Sequence, residues 1–187
     1  MKGFVRENQL LSLCGLNCGL CPMFLGKYCG GCGNGNQSCS IARCAMERGN
    51  VEYCFSCPEY PCQRCSQPDS YDSFITHQRR LADLEKARSI GIEAYNREQQ
   101  EKMAILAELL EQYNDGRKTA LFCLAVNLLE LPSLRQAMEE LRRQGQDLDT
   151  KARGTLASAV LHRIAQEQGV ELKLRKPKAK TKGDNHD

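Results

Sequence analysis

Apolar positions recur with a helical period through the second half of the chain. Ile75, Leu81, Leu84, Ala87 and Ile90 mark one stripe, and Ile92, Tyr95, Met103, Leu106, Leu109 and Leu110 mark another, with Gly91 separating or bending them. Asn114-Asp115-Gly116 ends the second helix. Lys118 to Glu130 predicts a third, apolar nearly all round from Ala120 to Leu129, and therefore the central buried helix. Pro132 closes it. A fourth helix is expected from Ser133 to Arg143, with Pro132 before it and Gly145 after, and a fifth from about Thr150 to Gln168, stopped by Gly169. Residues 71–170 thus read as a helical bundle.

No such period runs through residues 1–70. Phe4 to Leu13 is a short mixed stretch, helix or strand, expected to pack against the rest. Ser40 to Arg48 predicts a short helix, with Ser38 or Ser40 available as N-cap, Gly49 past its end and Cys44 on one face. Cys54-Phe-Ser-Cys57-Pro58-Glu-Tyr-Pro61-Cys62 is rich in turns, because its two prolines forbid a helix.

Cysteine fills the gap that the missing periodicity leaves. Eleven of the twelve cysteines fall between residues 14 and 65, and four pairs have C-x-x-C spacing: Cys18/Cys21, Cys29/Cys32, Cys54/Cys57 and Cys62/Cys65. That spacing lets two sulfurs of one tight turn reach a single ion, at about 2.3 Å each for zinc. Gly30, Gly31, Gly33 and Gly35 give the backbone freedom around the second pair. A region with so few large side chains would not fold alone, so metal takes the place of an apolar core. The fold class expected is mainly α, with an irregular cysteine-rich metal-knuckle domain over 1–70 packed on the helical bundle of 71–170, and a basic, disordered tail over 171–187.

Other readings of the same residues carry less weight. Cys14, Cys18 and Cys21 have the C-x-x-x-C-x-x-C spacing of radical S-adenosylmethionine enzymes, but the chain downstream shows only helical periodicity and not the alternating strands and helices of a partial barrel. The glycine run near Cys32 lacks the strand and helix of a phosphate loop. His77 is a conceivable nitrogen ligand on a predicted helix. Cys123, alone in the apolar central helix, reads as packing, Asn127 as a hydrogen bond within the bundle, and His162 and His186 as surface histidines. No Ser/His/Asp set, paired carboxylates in a Gly-bounded loop or nucleotide fingerprint is present, which leans away from an enzyme.

Composition settles the compartment and the charge. Apolar content of 41% with 26% charged residues describes a soluble globular chain of 187 residues. Arg6, Glu7, Asn8 and Gln9 interrupt any apolar leader, and the longest uncharged run of the helical half, Thr119 to Leu129, is roughly half of the ~20 residues that span a bilayer. The cytoplasm is expected, with no membrane contact. Cytosolic thiols stay reduced, so a disulfide framework, although twelve is an even count, is the weaker reading. Residues 1–70 carry 6 basic and 5 acidic side chains, 71–170 carry 14 and 15, and 171–187 carry 6 and 3, so the tail supplies the net +3. Lys173, Arg175, Lys176, Lys178, Lys180 and Lys182 permit weak, non-specific nucleic-acid contact, with no aromatic residues interleaved for base stacking.

The ordered run C-G-L-N-C-x-x-C-P-M-F, C-x-G-C, C-x-x-x-x-C-A-M-E-R-G and C-x-x-C-P-E-Y-P-C resembles the prokaryotic family catalogued as domain of unknown function 3795. The likeness continues through Leu84 to Tyr95 and Asn114 to Leu131. It implies metal binding, zinc in most cases, with no reaction assigned. The gap from Cys21 to Cys29 is shorter than in many of those relatives, and Cys65 lies outside the pattern. The expected ligands are Cys14, Cys18, Cys21, Cys29, Cys32, Cys39, Cys44, Cys54, Cys57 and Cys62. The expected role is structural or adaptor-like, with multiple zinc sites and an unknown protein partner. The alternative is a small iron-sulfur or thiol redox protein using part of the cluster.

Overall fold

The computed structural model describes residues 3–34, 39–66 and 69–177, and among them it is mainly α. Three short helices lie in the cysteine-rich part: α1 (Pro22–Leu25), α2 (Ser40–Glu47) and α3 (Gln63–Ser66). Five longer ones follow: α4 (Arg80–Ile90), α5 (Ile92–Gln112), α6 (Thr119–Leu128), α7 (Leu131–Gln144) and α8 (Thr150–Glu167). The expected stretch from Phe4 to Leu13 is neither helix nor strand. It carries one antiparallel bridge, Leu11 to Asn17, and it packs as expected, with Phe4, Leu11 and Leu13 buried.

Local chemistry sets the boundaries. Gly91 has φ of +84° and breaks α4 from α5, a conformation that suits a residue without Cβ. Pro132 does not close α6; it lies in the first turn of α7, where its missing N–H has no helical partner to lose. The cap of α2 is not Ser40, which is the first helical residue, but Cys39, whose sulfur accepts from the Ala42 N–H at 3.4 Å. Ser38 lies outside the described residues. At α8 the Asp149 carboxylate caps the Ala152 N–H at 2.8 Å.

The main core lies between α5, α6, α7 and α8. Leu106, Leu109, Phe122, Val126, Leu134, Leu141 and Leu161 are almost wholly excluded from water there, and α6 contributes buried side chains on several sides. Leu20, between two cysteines of the first motif, belongs to this same core. Two smaller apolar clusters sit under the cysteines. One joins Leu11, Tyr53 and Cys65 to Leu84, Ala87 and Tyr95 of α4 and α5; the other gathers Phe4, Leu13, Cys32, Ala42 and Ala45. Apolar burial therefore contributes to the cysteine-rich part, where metal alone was expected to replace a core.

The segment after α8 departs from expectation as far as residue 177. Leu172 is buried in the bundle, and Arg175 folds back so that its guanidinium and backbone N–H reach Asp72 at 2.6 and 2.9 Å. Burial works against the Asp72 charge, but these bonds and the His77 N–H hold its carboxyl below the usual range. Lys178, Lys180, Lys182 and His186 lie outside the described residues. No helix among the described residues is long and apolar enough to cross a membrane.

Candidate metal centre

The first cysteine motif is seated directly on the helices. A Cβ on Gly15 would lie 2.0 Å from the Arg80 carbonyl oxygen, so only glycine permits the loop to approach α4 this closely, and Gly19 lies against the Met103 side chain of α5. Asn17, buried between them, donates to Asp83 at 2.9 Å and accepts from the Tyr95 hydroxyl at 2.8 Å. Asn127 of α6 does bond within its own helix, to the Cys123 carbonyl at 2.7 Å. It also reaches the Leu20 carbonyl at 3.3 Å, outside the bundle. Three helices thus fix the backbone that carries Cys14, Cys18 and Cys21.

The chain path then sorts the cysteines into two cavities. Cys14, Cys18, Cys21, Cys29, Cys32 and Cys39 line a cavity of about 350 Å³, whose other walls include Leu16, Met23 and the largely exposed Phe74. Cys44, Cys54, Cys57, Cys62 and Cys65 line a second of about 20 Å³. Leu13 and Ile41 are shared by both linings. All ten expected residues therefore border one cavity or the other. Cys65, left out of the expected set, is the eleventh; it is 1% exposed. Its C-x-x-C spacing from Cys62 was the signal that could have included it.

His77 is not on a helix but in the turn before α4, where its carbonyl accepts from the Arg80 N–H. Its ring lies between Asp69 at 3.1 Å and Ser73 at 2.9 Å, and it lines neither cavity. Cys123 is buried beside the first cavity, near enough to Cys21 for their charges to interact, and burial pushes its thiol up to about 12.

Electrostatics differ between the pools. Burial pushes Cys14 up to about 11 and Cys18 up to about 12, and raises Cys32 as well. Neighbouring thiols add to each shift, so several thiolates cannot coexist here without added positive charge. Arg6 hydrogen-bonds Cys32, and Arg80 lies close enough to Cys14 to favour its anion. In the smaller pool Cys54 and Cys65 are hydrogen-bonded to each other. That bond raises Cys54, with burial adding, and lowers Cys65, which Arg80 also favours as thiolate. Arg80 further donates to the Cys65 carbonyl at 2.8 Å and to Asp69 at 2.6 Å, so one guanidinium serves both pools. Arg48 hydrogen-bonds Cys44 and pairs with Glu59.

Among the described residues no three Cys, His, Asp or Glu side chains converge tightly enough to grip an ion as they stand. The donor set nevertheless fits a soft metal. Each pool offers more than four sulfurs, next to arginines that offset a thiolate site's negative charge, and side-chain rotation is all that ligation demands of a cysteine in a tight turn. Set against family models, curated proteins and solved structures, the chain matches none of them.

Proposed function

We propose that this is a thiolate metal-binding protein whose smaller cysteine pool holds one zinc ion and whose role is structural or adaptor-like. The observation that carries the reading is the cleft of about 20 Å³ whose lining brings five cysteines together among apolar side chains and two arginines, since a single water-sized occupant needs roughly 10–15 Å³. The ligands assigned are the two C-x-x-C pairs, Cys54/Cys57 and Cys62/Cys65. Cys44, held by Arg48, stands beside them; the family resemblance instead implies Cys44 and omits Cys65.

A zinc ion in four thiolates has no open position and contributes folding free energy, not catalysis. Each ligating thiol must release a proton, and Arg48, Arg64 and Arg80 offset the charge that remains. The partner of an adaptor would be another protein. Nucleic-acid contact through the tail is weakened because Arg175 is already committed to Asp72.

Elemental analysis of protein purified without oxygen tests this. Zinc at one or more per chain is expected, lost in Cys57→Ser and retained in Cys44→Ser. Protein without zinc, or zinc unaffected by Cys57→Ser, would contradict the reading.

A further inference from the structure

We propose that the larger cavity takes a four-iron, four-sulfide cluster, ligated by Cys14, Cys18, Cys21 and Cys32. The inference rests on reading the cysteine-rich part as a thiolate metal centre and names the cofactor class of its larger pool.

Size is the first argument. At about 350 Å³ this cavity is more than tenfold larger than its neighbour at about 20 Å³. One or two bare metal ions in a six-thiol site need no space beyond that between sulfurs in contact. An eight-atom inorganic core does. Its four cysteine ligands must stand apart around the core, and the thiols that line this cavity have the room to do so.

Selection of the four ligands follows from proximity and from the seating of the first motif. Cys18 lies within electrostatic reach of Cys14, Cys21 and Cys32, Cys14 within reach of Cys32 and Cys39, and Cys32 within reach of Cys39. Cys29 is exposed, and Cys21 is preferred to Cys39 because its motif is the one seated on the helices, while the Cys39 sulfur caps α2. The lining is mostly apolar: Leu13 and Ile75 are buried, and Leu16, Met23 and Ile41 are partly so. The cluster's charge is met by Arg6, which is 5% exposed and hydrogen-bonded to Cys32, and by Arg80 near Cys14. Hydrogen bonds to ligand sulfur and low exposure are the levers that set a cluster's potential. The seating of the first motif on α4, α5 and α6 gives three of the four ligands a rigid base.

Loading is a ligand exchange. A preformed cluster carried by four small thiolates gives up each of them to a protein cysteine; the cysteine proton passes to the departing thiolate, and no electron changes hands.

The test is anaerobic transfer of such a synthetic four-iron, four-sulfide thiolate cluster to the full chain, followed by iron, acid-labile sulfide and zinc analysis and visible absorption. Expected are four irons and four sulfides per chain with a brown charge-transfer band. Cys18→Ser and Cys32→Ser should lose the band, while Cys29→Ser and Cys44→Ser should keep it. Far-UV circular dichroism identifies a variant that fails to fold, and Cys21→Ser then replaces it. Absence of transfer, uptake equal in the Cys18, Cys32 and Cys44 variants, or zinc in the wild type that is lost on Cys18→Ser would each overturn the inference. Zinc retained at the Cys54/Cys57 site without iron uptake sinks this proposal alone. Absence of both metals sinks the zinc reading with it.

Discussion

The bundle and the cysteine-rich part are stabilised differently although they share a seam. In the bundle one continuous apolar core spans α5 to α8, and its members are large aliphatic side chains at helical spacing. The cysteine-rich part has two small clusters instead, one of which is completed only by Leu84, Ala87 and Tyr95 of the helices. Small clusters of this kind exclude too little apolar surface to hold fifty-odd residues in irregular loops, at about 25 cal/mol per Å². The difference shows where metal has to act. Near Cys14 to Cys21 buried hydrogen bonds and close backbone contact tie the chain to three helices. Around Cys54 to Cys65 the ties are one small apolar cluster and the Arg80 bond to the Cys65 carbonyl, so metal has more constraint to add there.

Chelation should break the comparison most strongly. Thiolate zinc contributes on the order of 10 kcal/mol to a small domain, so treatment with a strong chelator should expose residues 39–66 to protease while the far-UV signal of α4 to α8 persists. Loss of helix together with metal would show a single cooperative unit. The bundle has its own weak point. Leu134 is wholly buried, and Leu134→Ala should lower the free energy of unfolding by about 2–5 kcal/mol. Denaturant titration should show that loss with the metal content unchanged.

The seam itself is tested by Tyr95→Phe. The substitution leaves the Asn17 side-chain oxygen without its donor inside the protein, a cost of about 1–3 kcal/mol. If the seam positions the first motif, the variant should also load metal in the larger pool less completely; a stability loss with unchanged loading would confine Tyr95 to packing.

A smaller effect follows from pH. Lys102 is buried on α5, its ammonium bonded to the Leu129 carbonyl at 2.8 Å, and burial lowers its pKa from 10.5 to about 8. Asp83 and Glu130 favour the ammonium, and Arg79 and Lys86 oppose it. The folded pKa lies below the unfolded one, so between about pH 8 and 10.5 the unfolded chain binds more protons and stability rises with pH. Its slope is at most about 1.4 kcal/mol per unit. Unfolding curves of wild type and Lys102→Met across that range should diverge with this sign, while parallel curves would show the lysine already neutral or hydrated.

Much of the bundle was legible because burial there follows the helical period. The second apolar stripe opens at Ile92, where α5 begins after the Gly91 that was read as separating or bending the two helices, and the span expected for the last helix differs from α8 by a single residue at its end. The partition of the cysteines was not legible. Cys39 caps α2 and Cys44 lies within it, yet they line different cavities, since five residues turn a helix by about 140° beyond a full circle. Spacing alone pairs neighbours in a turn, and the choice of partners four or more residues away depends on the path of the chain. The seam was hidden for another reason. Tyr95 reads as one more apolar stripe residue and Asp83 stands outside both stripes, and only the fold turns both toward Asn17. Gln99 and Lys102 are likewise buried on α5 against the polar reading of their side chains.

Zinc-edge X-ray absorption on the full chain purified without oxygen tests the central claim most directly. The account predicts a first shell of four sulfurs at about 2.3 Å, degraded in Cys54→Ser and Cys62→Ser and intact in Cys18→Ser. A shell of nitrogen or oxygen, or an all-sulfur shell that survives both of the first two substitutions, would contradict it.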